Sequence, residues 1–129
     1  MKQTSYVLLV IRAIWELVLY DLINTALGFQ RIYRYVERRR VSARPPRPGT
    51  ERCVCDAVSV AASLYWKRVY CLQRSVAVAS LLRKEGVHCR LVIGYRSSPF
   101  LSHAWVEVDG RVVNDSPAYK ERMHVLCTL

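Results

Sequence analysis

Three residues carry side chains that could work together on a carbonyl carbon: Cys71, His103 and Asp115. Cys71 opens a helix-like run that stops at Gly86. A helix N-terminus presents free N–H groups and partial positive charge, which stabilise a thiolate. The same N–H groups could face an oxyanion. The alternative for Cys71 is a small buried hydrophobe, the role of most cysteines. His103 sits in a strand-like run, Ser102 to Val108, and Asp115 follows another, Arg111 to Asn114. A thiol, an imidazole and a carboxylate make up the nucleophile, base and orienting group of acyl transfer. A histidine satisfied inside the sheet is the plainer reading of His103.

Whether His103 and Asp115 can meet depends on how the hairpin at Asp109-Gly110 closes. A two-residue turn pairs Val108 with Arg111 and sets Asp115 opposite Ala104, on the face away from His103. A three-residue loop, Val108 to Gly110, pairs Glu107 with Arg111, Trp105 with Val113 and His103 with Asp115. Those pairs are an ion pair, an apolar pair and a hydrogen-bonding pair, each favourable across strands. The three-residue register is therefore expected.

The elements that must position these residues follow from periodicity and breakers. Residues 5 to 29 read as a helix that is apolar nearly all round, followed by a break at Gly28 and a second helical segment from Gln30 to Arg40. Arg12, Glu16 and Asp21 lie inside the first stretch, and at roughly 2.5–3.5 kcal/mol each near a helix centre they oppose membrane insertion. Arg12 and Glu16, one turn apart, can pair with each other. Pro45, Pro46, Pro48 and Gly49 form the one clear linker. Helices are expected at Asp56 to Lys67, with Val58, Ala61, Ala62 and Tyr65 inward, and at Cys71 to Glu85. Strands follow at Arg90 to Tyr95, Ser102 to Val108 and Arg111 to Asn114. Helices first and then an antiparallel sheet is an α+β order. The chain divides into an arm (1–41), a linker (42–50) and a core (51–129).

The run from Cys71 to Gly86, Leu91-Val-Ile-Gly-Tyr-Arg96, Pro99-Phe100, His103-Ala-Trp-Val-Glu107 and Val112-Val-Asn-Asp115 resembles the lasso-peptide leader peptidases. These are the B proteins of lasso-peptide biosynthesis, a branch of the transglutaminase-like cysteine protease superfamily. The similarity covers about residues 53 to 119. It implies a transglutaminase/papain-like core in which the helix bearing Cys71 packs on the sheet bearing His103 and Asp115. It also implies hydrolysis of the leader–core bond of a ribosomal precursor peptide in the cytoplasm, before a separate lasso cyclase acts. Some members carry a fused leader-recognition domain, for which this chain is too short. The expected partner is thus a separate recognition protein.

Several further residues have two readings. Gln73 and Arg74, one turn into the Cys71 helix, could touch substrate or simply be solvated. Arg96, Pro99 and Phe100 could border the substrate cleft or be a connector, and Trp105 could wall the site or fill the core. Arg31, Arg34, Arg38, Arg39 and Arg40 could dock an acidic partner or be a solvated face. Cys53, Cys55, Cys71, His88 and Cys89 invite a zinc reading, but Cys-x-Cys fits the usual ligand gap poorly, so neither metal nor other cofactor is expected. His124 and Cys127 show no partner.

The chain carries 20 Lys+Arg against 10 Asp+Glu, a net charge of +10 that favours acidic partners. Nucleic acid is not expected among them, because the aromatics are scattered rather than arrayed for base stacking. The rival to a protein partner is weak association with a membrane surface, for which Trp15 and the arginines are also suited. An odd count of five cysteines without a secretory signal points to free thiols in a reducing compartment. Competing with hydrolysis are transamidation or amidase chemistry by the same three residues, and a non-catalytic peptide-binding module.

Overall fold

The computed structural model describes residues 3–129, with side chains from Ser5 onward. Helix α1 (Gln3–Leu27) buries one face through Leu9, Ala13 and Leu17, which recur every fourth residue and so lie in one row. That row packs on helices α3 (Thr50–Leu64) and α4 (Cys71–Lys84). Val7, Leu8, Ile11, Trp15 and Leu22 stay exposed on the other side.

The three charges within α1 secure it to the rest of the chain. Arg12 reaches Glu85 at 3.4 Å, Glu16 accepts from Arg39 at 2.8 Å and from the Tyr35 hydroxyl, and Asp21 pairs with Lys67 at 2.6 Å. The expected Arg12–Glu16 pair is not made, because Glu16 is buried under the second helix while Arg12 points outward. Burial, and then the bond to Glu16, push the Tyr35 hydroxyl up to about 12. No described helix is long and apolar enough to cross a membrane.

Gly28, with φ of +87°, turns the chain into α2 (Phe29–Arg38), which buries Ile32 and Val36. The proline segment then lies across the end of α4. The Ser42 N–H donates to the Arg83 carbonyl, and the Arg44 carbonyl would come within 1.8 Å of any Cβ at Gly86. Arg83, itself buried, donates to the carbonyls of Val36, Cys89 and Leu129 and so joins α2 to one end of the sheet layer. Helix α3 begins six residues before the expected Asp56. Its apolar row already runs through Val54, Ala57, Val58 and Ala61, and left-handed Gly49 admits the first turn.

The sheet is antiparallel, in the order β3-β2-β1-β4, with β1 (Arg90–Ser97), β2 (Phe100–Val108), β3 (Arg111–Val112) and β4 (His124–Thr128). Leu91, Ile93, Ala104, Val106 and Val108 face the helices, completing an α+β architecture. Val92, Trp105 and Met123 form a smaller cluster on the other side, under Val112 of β3 and Tyr119 of the short helix α5 (Ala118–Arg122). Gly94 makes room for Trp105: a Cβ there would fall 2.6 Å from the indole ring. His124 and Cys127 lie on β4, opposite Tyr95 and Ile93.

Candidate active site

Cys71 is the first residue of α4, and no side chain caps that helix at Tyr70, so its first-turn N–H groups are left to other acceptors. The following residues, Ser75 to Arg83, are buried on every side. The helix axis, and with it the position of the thiol, is fixed by packing. The segment entering the helix is held as well. Asp21 binds Lys67 and accepts from the Tyr65 hydroxyl, and Arg68 lies 5.7 Å from the Tyr70 ring centre.

His103 Nε2 lies 2.7 Å from Asp115 Oδ2, and Asp115 Oδ1 accepts the Ser116 N–H at 2.8 Å. The imidazole stacks on Tyr119 with ring centres 3.8 Å apart and on Trp105 at 6.4 Å. With Nε2 engaged by a carboxylate, the neutral ring keeps its proton there, and Nδ1 is the nitrogen free to accept one. Tyr119 was not found from the sequence. It stands on a one-turn helix whose five residues carry no periodic signal.

The hairpin does not close as expected. Asp109 and Gly110 both have positive φ, +51° and +76°, and form a two-residue turn that pairs Val108 with Arg111 and Glu107 with Val112. The local preference of Asp-Gly for this turn prevails over the cross-strand pairs. Arg111 reaches Glu51 at 3.3 Å, while Glu107 accepts from Trp105 Nε1 and Lys120. In this register Asp115 belongs opposite Ala104. It reaches His103 because β3 stops at Val112 and the chain leaves the ladder at Asn114, whose Oδ1 accepts the Val106 N–H at 2.8 Å.

Cys71, His103 and Asp115 line one open cleft of about 470 Å³, together with Arg68, Arg74 and Tyr70. The cleft brings together a thiol at a helix end and an imidazole hydrogen-bonded to a carboxylate, the group types that acyl transfer uses.

The remaining candidates scatter. Arg74 lines the cleft, but Gln73 is buried and donates to the Leu17 carbonyl at 3.0 Å, so it joins α4 to α1. Trp105 is wholly buried and serves the core. Arg96, Pro99 and Phe100 sit at the tip of the β1–β2 hairpin, where Arg96 donates to the Pro99 carbonyl, away from the residues lining the cleft. Arg31, Arg34 and Arg38 rim a groove floored by Ile23, Leu27 and Tyr35. Arg39 is committed to Glu16, and Arg40 opens on a different cavity beside Arg83 and Arg90.

All five cysteines are free thiols. Burial, then the nearby Asp56 and Glu51, push Cys55 up to about 11, and burial likewise raises Cys89. Among the described residues no group of three or more His, Cys, Asp or Glu could hold a metal ion.

The family model of the transglutaminase-like superfamily matches residues 15–128. The microcin J25-processing protein McjB of Escherichia coli is 41% identical over 59 residues, a match that takes in 46% of this chain and 28% of that protein. No solved structure matches.

Proposed function

Because the chain belongs to the transglutaminase-like superfamily, we propose that it is a cysteine peptidase that removes the leader from a ribosomally made lasso-peptide precursor before cyclisation. The observation that carries this reading is one cleft lined by Cys71, His103 and Asp115, with the imidazole held on the carboxylate at 2.7 Å. The name of the McjB protein, which processes microcin J25, supports a peptide substrate.

In this mechanism His103 Nδ1 takes the Cys71 proton and the thiolate attacks the carbonyl carbon of the leader's last residue. The N–H groups opening α4 stabilise the oxyanion. As the tetrahedral intermediate collapses, the C–N bond breaks and His103 gives its proton to the departing amine, the new N-terminus of the core. Water, deprotonated by His103, then hydrolyses the thioester and frees the leader carboxylate and the thiol. Asp115 holds the ring and stabilises its charged form throughout.

The exposed stripe of α1 and the arginines of α2 serve, in this proposal, to dock a separate, acidic leader-recognition protein in the cytoplasm, with the cyclase acting next. Transamidation would use the same thioester with an amine in place of water. Incubating the chain with precursor peptide and recognition protein, then weighing the products, separates these readings. A free leader means hydrolysis, a cross-linked adduct means transamidation, and an unchanged precursor means a binding module.

A further inference from the structure

A second hydrogen-bonded group ties together the three elements that bear Cys71, His103 and Asp115. Asn114 is its centre. Its Oδ1 accepts the Val106 N–H of β2 at 2.8 Å, and its Nδ2 donates to Ser75 Oγ of α4 at 3.0 Å. Ser75, wholly buried one turn into the Cys71 helix, donates in turn to the Ala104 carbonyl at 3.1 Å. The Val113 carbonyl, which would bond to Val106 if the strand continued, instead accepts from the Cys55 thiol on α3 at 3.4 Å. The carboxamide of Asn114 has therefore taken the place of a backbone carbonyl in the ladder.

This substitution has a consequence for the site. The two-residue register places Asp115 on the face opposite His103. A side-chain acceptor at Asn114 satisfies Val106 while letting the backbone turn out of the sheet, and the turn carries Asp115 to His103. We infer that Asn114 and Ser75 are positioning residues of this site. Asn114 breaks the strand alternation so that Asp115 can orient His103, and Ser75 fixes that break to the helix carrying the nucleophile. Neither lines the cleft. An aspartate at 114 would keep the acceptor and lose the donor, and an alanine would lose both.

The inference rests on the peptidase reading, and its test keeps the two apart. Nitrogen-15 shifts of His103 report which ring nitrogen carries the proton, and mass-mapped labelling by iodoacetamide at pH 7 reports the reactivity of Cys71. Both are read below the melting temperature, in the wild type, Asn114→Ala and Ser75→Ala. In the wild type the His103 proton is expected on Nε2, and Cys71 is expected to label ahead of the other thiols. In both variants the Nε2 proton signature should be lost or averaged. Precursor cleavage should lose about 10²-fold in kcat with KM little changed, the scale set by moving a reacting group about 1 Å. Ser75→Ala leaves the cap on Val106 in place and decides the matter if Asn114→Ala does not fold. A wild-type His103 signature and kcat in a folded variant, with only a lower melting temperature, would reduce the pair to structural glue and overturn the inference. Slow, unselective labelling of Cys71 in the wild type would instead sink the peptidase reading.

Discussion

Asp21, in the last third of the N-terminal helix, holds Lys67 at 2.6 Å, four residues ahead of Cys71. The arm is thereby tied to the segment that delivers the proposed nucleophile to its helix. Burial raises the Asp21 carboxyl, but hydrogen bonds from Lys67 and Tyr65 outweigh it and hold the group below the ordinary carboxylate value. A folded value below the unfolded one means stability that is present above the ordinary carboxylate value of about 4 and lost as pH falls below it through the lower folded value. Asp21→Asn should lower the melting temperature at pH 7, and the gap to wild type should narrow by pH 3. A gap that stays constant with pH would show that the carboxylate charge contributes nothing.

The buried row of α1 should behave as core. Leu17→Ala, at a fully buried position, should cost about 2–5 kcal/mol by denaturant unfolding. Ile11→Ala, on the exposed stripe, should stay within about 0.5 kcal/mol of wild type. Equal losses at the two positions would contradict this packing of α1.

Asp115→Asn should leave the fold intact and reduce precursor cleavage by several orders of magnitude, up to about 10⁴-fold. An amide can hold the imidazole in the wrong tautomer and cannot stabilise its charged form. Cleavage kinetics with circular dichroism as a folding control measure this, and an activity loss of less than about tenfold would remove Asp115 from the orienting role.

Charge reversal at Arg31, Arg34 and Arg38 should weaken binding to the recognition protein. It should also flatten the salt dependence of that binding and leave the melting temperature nearly unchanged. Arg39 is left out of this test because it pairs with Glu16 inside the fold. Isothermal titration at two salt concentrations measures the effect. Unaltered partner binding combined with lost affinity for anionic vesicles would assign the surface to a membrane instead.

Helical periodicity made much of the fold legible. The Cys71 helix and its stop at Gly86 appear where the apolar row and the glycine predicted them. The charges of α1 were visible but their partners were not, since Glu85, Arg39 and Lys67 come from distant stretches of chain. Strand β4 escaped notice because it is short and pairs with a strand far upstream rather than across a hairpin. The meeting of His103 and Asp115 was expected through a register the chain does not adopt. What makes it possible is a side-chain acceptor at Asn114, and alternation alone cannot show where a carboxamide will replace a backbone carbonyl. Trp105 and Gln73 share the neighbourhood of the site in sequence but point into the core, a distinction set by packing against Gly94 and Leu17.

The most direct test of the account is precursor cleavage by Cys71→Ala beside the four single replacements of Cys53, Cys55, Cys89 and Cys127 by alanine, with products weighed by mass spectrometry. The account predicts a folded Cys71→Ala protein that leaves the precursor whole, while each of the other four releases the leader. Leader release by Cys71→Ala at the wild-type rate would contradict it.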